Sequence, residues 1–233
     1  MVTYRPFLVI AWVLACAIFP KHIAQAAKTQ DLLDELNPAQ LAIVRDGGRV
    51  MITSTTSGQP WPSVKVYQII AALPEPVIAV FFDYETAHTY VPHVLQSTIT
   101  KRVNSRICDI YYRMSIPLMP EEKYTVRNSL RTLPGGIYEI DWKLLQATTT
   151  RISEGSFRIQ AYGKKQSIFC YSNLVVPGSR MAIVLRGLAL EQVQKNIDAL
   201  ITQVDKQINQ NPQSLQHQIA VLRKALAEVP NHP

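Results

Sequence analysis

The residues best placed to do chemistry are three tyrosines, Tyr112, Tyr124 and Tyr138, each set in an apolar alternating run. A buried phenol in such a place could donate a hydrogen bond to a carbonyl or quinone oxygen, or be satisfied by backbone or water. Asp83 and Glu85 follow an apolar helical stretch. They could sit at the mouth of a cavity, but the same position suits the end of a helix in a solvated turn. His88 and His93 are five residues apart across a loop, which is poor spacing for a shared metal. There is no nucleophile elbow, phosphate loop, HExxH or paired-cysteine motif. Cys108 and Cys170 each lie on an apolar strand face and are expected to be buried thiols that pack as small hydrophobes. The sequence therefore nominates no catalytic residue, cofactor or metal.

The elements that must position these groups are marked by periodicity. Residues 28–46 carry Leu32, Leu33, Leu36, Leu41 and Val44 on a helical face, interrupted at Asn37-Pro38 and stopped by Gly47-Gly48. Arg49–Thr56 and Val64–Ala71 predict two strands, joined by a turn at Ser57–Pro60. Pro60-Trp61-Pro62 fits only an edge or entry position, because proline cannot donate to a ladder. In Leu73–Pro92, Val77, Ile78, Phe81 and Phe82 form a single helical stripe. Pro74 and Pro76 suit a first turn that can spare an N–H, and Glu75 suits its positive dipole end.

Four strands then alternate. The apolar positions are Cys108, Ile110, Tyr112, Met114, Ile116 and Leu118; then Tyr124, Val126 and Leu130; then Tyr138, Ile140, Trp142 and Leu144; then Phe157, Ile159 and Ala161. Polar side chains fill the places between, so one face is dry and one wet, as in an antiparallel sheet covered on one side. Turns fall at Pro134-Gly135-Gly136 and Gly163–Gln166, and a further strand runs Ser167–Val176. After Pro177-Gly178 a long helix extends to Gln210, with Val193, Ile197, Leu200, Ile201, Val204 and Ile208 on one face. Asn211-Pro212 breaks it. A last helix, Gln213–Val229, has Leu215, Ile219, Leu222, Leu226 and Val229 at four-three spacing. It either packs on its own domain or presents that face to a partner or membrane, where Arg223 and Lys224 would suit a lipid surface.

The ends read differently. Arg5, the 13-residue apolar run Phe7–Phe19 and Ala24-Gln25-Ala26 make residues 1–26 an export signal cleaved before Ala27. The run is shorter than the roughly 20 residues of a membrane span. A rival reading takes Val13–Cys16 as a lipoprotein signal with Cys16 lipidated, and a third leaves the segment as an anchor. All three place the domain outside the cytoplasm, in a bacterial periplasm. Loss of Arg5 and Lys21 lowers the net charge from +7 to +5. That excess could favour transient contact with an anionic membrane surface. The basic residues are scattered and no recognition motif accompanies them, which argues against nucleic acid.

Ala71–Val77, Phe82-Asp83-Tyr84-Glu85 and Tyr90-Val91-Pro92, with Trp142 and Tyr171 as weaker markers, resemble the START-like superfamily, also called SRPBCC or helix-grip. The branch most alike is the coenzyme-Q-binding START and polyketide cyclase group. The resemblance spans residues 49–208. It implies an α+β fold in which a curved antiparallel sheet grips a long C-terminal helix, with residues 27–48 and 211–233 as added helical segments around a domain of residues 49–210. It also implies a cavity lined by Ile110, Tyr112, Met114, Tyr124, Val126, Tyr138, Ile140, Trp142, Phe157 and Ile159, with Val193 and Ile197 opposite. The same positions serve equally well as ordinary core. The function expected is a non-enzymatic exported carrier of a lipophilic molecule such as a quinone, fatty acid or polyketide-like compound. The alternatives are a cyclase or dehydratase using the same cavity, and a protein-interaction module using the added helices.

Overall fold

A computed structural model of the chain describes residues 31–55, 61–115, 121–178 and 186–228. The expected export signal with Cys16, the Ser57–Pro60 turn, Ile116, Leu118 and Val229 lie outside these residues.

The described strands form one eight-stranded sheet. They are β1 (Val50–Ser54), β2 (Ser63–Ile70), β3 (Val94–Arg102), β4 (Ile107–Met114), β5 (Glu122–Leu133), β6 (Ile137–Ala147), β7 (Thr150–Tyr162) and β8 (Gln166–Pro177). Their order is β1-β2-β8-β7-β6-β5-β4-β3, and each neighbouring pair is antiparallel. Between β2 and β3 the chain crosses the whole sheet through helix α2 (Pro74–Phe82) and a 3-10 turn, Tyr84–Thr89. β3 is an element that periodicity does not reveal. It is an edge strand, largely exposed, and its register shifts at Val94/Gln96 and Ile99/Lys101, which breaks the alternation.

On the inner face, α2 buries Val77, Ile78, Ala79, Val80 and Phe82. This corrects the single stripe expected for it: the helix is apolar on more than one side because more than one partner covers it. One partner is the sheet, another is α3 (Arg186–Gln210), and a third is α4 (Pro212–Ala227). Leu215, Ile219, Leu222 and Ala225 of α4 are buried, so the last helix spends its apolar face on its own domain. Burying each large side chain there stabilises by about 1.5–3 kcal/mol. Polar contacts fix its position. Gln218 Nε2 donates to Asp83 Oδ2 at 2.8 Å, and Arg223 donates twice to the Glu75 carboxylate at 2.6 and 2.7 Å. Arg106 caps the C-terminal end, donating to the carbonyls of Ala225, Leu226 and Glu228. On α3, Ile197, Leu200 and Val204 are buried as the spacing predicts, but Ile208 is 37% exposed and Gln207 is buried in its stead.

The outer face is not wet throughout. Leu32, Val44, Val50, Tyr67, Ile69, Ile137, Ile168 and Cys170 form a second core beneath the N-terminal segment. That segment is a 3-10 turn, Leu32–Glu35, and a short α1 (Pro38–Arg45), parted at Asn37, whose side chain and Gln40 form a capping box. Glu35 anchors it, accepting from Arg158 at 2.7 and 3.2 Å, Tyr67 Oη at 2.7 Å and Lys65 Nζ at 3.1 Å. Cys108 and Cys170 are free, buried thiols, on strands with β5, β6 and β7 between them.

Candidate functional site

Between the inner face of the sheet and the N-terminal half of α3 lies a cavity of about 440 Å³, within the roughly 300–1,000 Å³ of small-molecule sites. Its walls are mainly apolar and carry a cluster of aromatic rings. Phe81 of α2 stacks on Phe157 of β7, ring centroids 4.8 Å apart, and lies 6.4 Å from the Trp142 ring. Trp142 is 5.5 Å from Tyr171, and Tyr112 is 5.3 Å from Tyr124.

Of the expected lining residues, Tyr112, Met114, Tyr124, Val126, Trp142, Phe157, Val193 and Ile197 border this cavity. The other four do not. Ile110, Ile140 and Ile159 have no exposed surface and belong to the packed core. Tyr138 packs against that core near Glu75 and Arg223, on the side held by α2 and α4. Sequence alternation tells which face a residue takes, not how far along the strand the helices fill the concavity. That is why one end of each strand is core and the other is cavity wall.

Several wall residues carried no periodic signal. Tyr84 and Tyr90 come from the 3-10 turn after α2 and its end, and Trp61 from between two prolines. Asn128 and Asn173 could have been found: each falls in the inward register, Asn128 midway between Val126 and Leu130. Asp83 and Glu85 do not border the cavity. Asp83 ends α2, and the Glu85 carbonyl accepts from His88 Nδ1 at 2.7 Å. His93 does border it, with φ at 67° and its carbonyl accepting from Ser115 N.

The electrostatics of the wall are those of neutral hydroxyls. Burial pushes the phenols of Tyr84, Tyr90, Tyr112, Tyr124 and Tyr171 well above their ordinary value, and Tyr112 lies within electrostatic reach of the other four. Tyr124 Oη donates to Met114 Sδ at 3.1 Å. Tyr84 Oη and Asn128 Oδ1 are buried without a hydrogen-bond partner among the described residues, with the Asn128 amide beside the Tyr84 phenol. Glu122 is the one carboxylate in the wall that is almost fully buried (3% exposed). Burial would raise its pKa, but bonds from Thr149 N, Thr149 Oγ1 and Thr150 N hold it below the usual value. It fastens the β6–β7 turn to the start of β5.

The architecture is shared with solved structures at low sequence identity. A STAR-related lipid transfer protein fragment from Xanthomonas axonopodis is 15% identical with a TM-score of 0.61, the match covering 68% of this chain and 94% of that one. Human STARD10 is also 15% identical, with a TM-score of 0.64 over 78% of this chain and 80% of that one. The chain has the START-like, helix-grip fold. The ZhuI aromatase/cyclase from Streptomyces sp. R1128 has the same architecture, with 11% identity and a TM-score of 0.53 over 64% of this chain and 96% of that one. No protein-family model matches the sequence, and no curated protein matches it. At these identities the likeness is one of fold, and function must be argued from the cavity.

Proposed function

We propose that the protein is an exported carrier or binder of a lipophilic small molecule, held between the inner face of the sheet and α3. The observation that carries this is the 440 Å³ space walled by Phe81, Trp142, Phe157 and the tyrosines. A well-packed domain holds few voids larger than a water molecule, so a space of that size with aromatic walls is suited to an apolar guest. Structures of this fold include proteins named for lipid transfer and for aromatase/cyclase activity, which supports the class of ligand. An isoprenoid quinone, a fatty acid and a polyketide-like compound all belong to that class. The export signal at 1–26 places the carrier in a bacterial periplasm, where exchange with a membrane surface would load and unload it.

A cyclase reading draws its support from Glu122 and the tyrosines at the cavity wall. Their chemistry does not favour it. A general base works best with a pKa near the operating pH. The phenols are displaced upward from their ordinary value and the Glu122 carboxyl downward, with both its oxygens occupied. Binding is therefore preferred over turnover.

The deciding experiment is gentle purification of the exported protein, solvent extraction and mass spectrometry of the extract. A reproducible lipophilic species at about one per chain is expected. A protein that is always empty and takes up no lipid would exclude the carrier function.

A further inference from the structure

The carrier function leaves open what the head of the ligand must be, and the cavity wall narrows it. The Tyr112 and Tyr124 rings lie 5.3 Å apart on neighbouring strands, and the phenols of Tyr84, Tyr90 and Tyr171, which also border the cavity, are within electrostatic reach of Tyr112. Tyr124 Oη spends its proton on the Met114 thioether, a weak acceptor that a ligand oxygen would displace. Among the described residues, His93 and Lys195 are the basic groups bordering the cavity. Lys195 pairs with Glu191 at 2.7 Å, and both side chains are more than half exposed to solvent. Glu122 is itself anionic and stands two residues from Tyr124 on the same strand face. A carboxylate or phosphate brought to the tyrosines would meet neutral hydroxyls and the like charge of Glu122, and among the described residues the one lysine or arginine bordering the cavity, Lys195, is solvent-exposed and already paired. An ammonium gains little as well, since Glu122 already accepts three hydrogen bonds from Thr149 and Thr150.

We infer that the ligand is an uncharged lipophile whose head is a neutral oxygen function, a carbonyl or hydroxyl, seated against Tyr112 and Tyr124. Fatty-acid anions and phospholipids are thereby disfavoured. This rests on the carrier function and divides the class proposed for it.

The test uses the full chain and three probes that share one hydrocarbon skeleton: retinol, retinal and retinoate. Affinities are read from quenching of protein fluorescence between pH 8 and pH 5. The alcohol and aldehyde should bind at least tenfold more tightly than the acid at pH 8, with little dependence on pH. The acid should gain about tenfold for each unit the pH falls toward its own pKa, because only its neutral form is admitted, and H93N, which removes the imidazole bordering the cavity, should keep that slope. Y112F and Y124F keep the rings and remove the hydroxyls. Each should weaken the aldehyde by about fivefold, the worth of one hydrogen bond, and weaken the acid by a similar factor, since the acid enters as its neutral carbonyl form. Equal binding of retinoate and retinol at pH 8 overturns the inference and leaves the carrier function standing. Failure of all three probes to bind overturns both.

Discussion

Trp142 lies directly opposite Gly155 in the β6–β7 ladder, and the glycine's missing side chain is what lets the indole lie flat there. A Cβ added at Gly155 would stand 2.5 Å from Trp142 Cζ2 and 2.1 Å from the Ser172 carbonyl oxygen. The indole can swing aside, but the carbonyl belongs to the β8 backbone and cannot. Gly155→Ala should therefore cost about 1–3 kcal/mol through overpacking. It should also displace Trp142 from its place beside Phe81 and Tyr171, altering the cavity. A thermal melt and a probe titration check both. Unchanged melting with unchanged affinity would mean that the strand yields more easily than its ladder suggests.

The last helix makes a second prediction. Leu222 of α4 is fully buried against the core, whereas the neighbouring Arg223–Glu75 pair is on the surface, Arg223 being 67% exposed. Leu222→Ala should cost about 2–5 kcal/mol. Arg223→Ala should cost less than about 1 kcal/mol, as exposed pairs do. Truncation before Pro212 should then expose the far side of α2 and destabilise the whole domain, not merely remove a docking surface. Urea unfolding of the three variants orders them. A truncated chain as stable as the parent would detach α4 from the core.

What the sequence made legible follows from what periodicity can carry. Alternation in β4 to β7 gave strand and face because each strand has one dry side. The same rule found Ile140 and Trp142 alike inward, yet could not separate a core isoleucine from a cavity tryptophan. That separation depends on where α2, α3 and α4 fill the concavity, which is a property of the assembled layers. β3 was hidden by its shifts of register, and Tyr84 and Tyr90 by the lack of any period in a 3-10 turn. The cover on the outer face was hidden for another reason: Leu32 and Val44 read as one amphipathic face, but nothing local says which side of the sheet that face will meet.

Cys108 and Cys170 should be silent in the folded protein. Burial pushes Cys108 up to about 11. Burial also raises Cys170, only partly offset by Tyr67 and by Arg158, whose Nη2 lies 3.3 Å from its sulfur. Thiolate is the reactive form, so iodoacetamide at pH 8 should leave both unmodified over hours and label both after unfolding in guanidinium. Peptide mass mapping resolves the two sites. Rapid labelling of Cys170 in the native state would mean that the N-terminal segment opens from the sheet.

Acid should loosen that same segment first. Burial alone would raise the Glu35 carboxyl, but hydrogen bonds from Arg158, Tyr67 and Lys65 and the Arg158 charge hold it at about 2, against 4.5 when unfolded. A folded-state pKa below the unfolded one means that the unfolded chain takes up the proton more readily. The stabilisation is thus complete above about pH 4.5 and is lost as pH falls from there toward 2. Its size is on the order of 2 kcal/mol once the side chain's partial exposure is allowed for. Glu35→Gln should lower stability at pH 7 by a similar amount and flatten the dependence below pH 4.5. Urea midpoints at pH 7, 5, 4 and 3 test this directly. Parallel loss of stability in parent and variant on acidification would place the acid-sensitive group elsewhere, with the β6–β7 turn held by Glu122 as the next to examine.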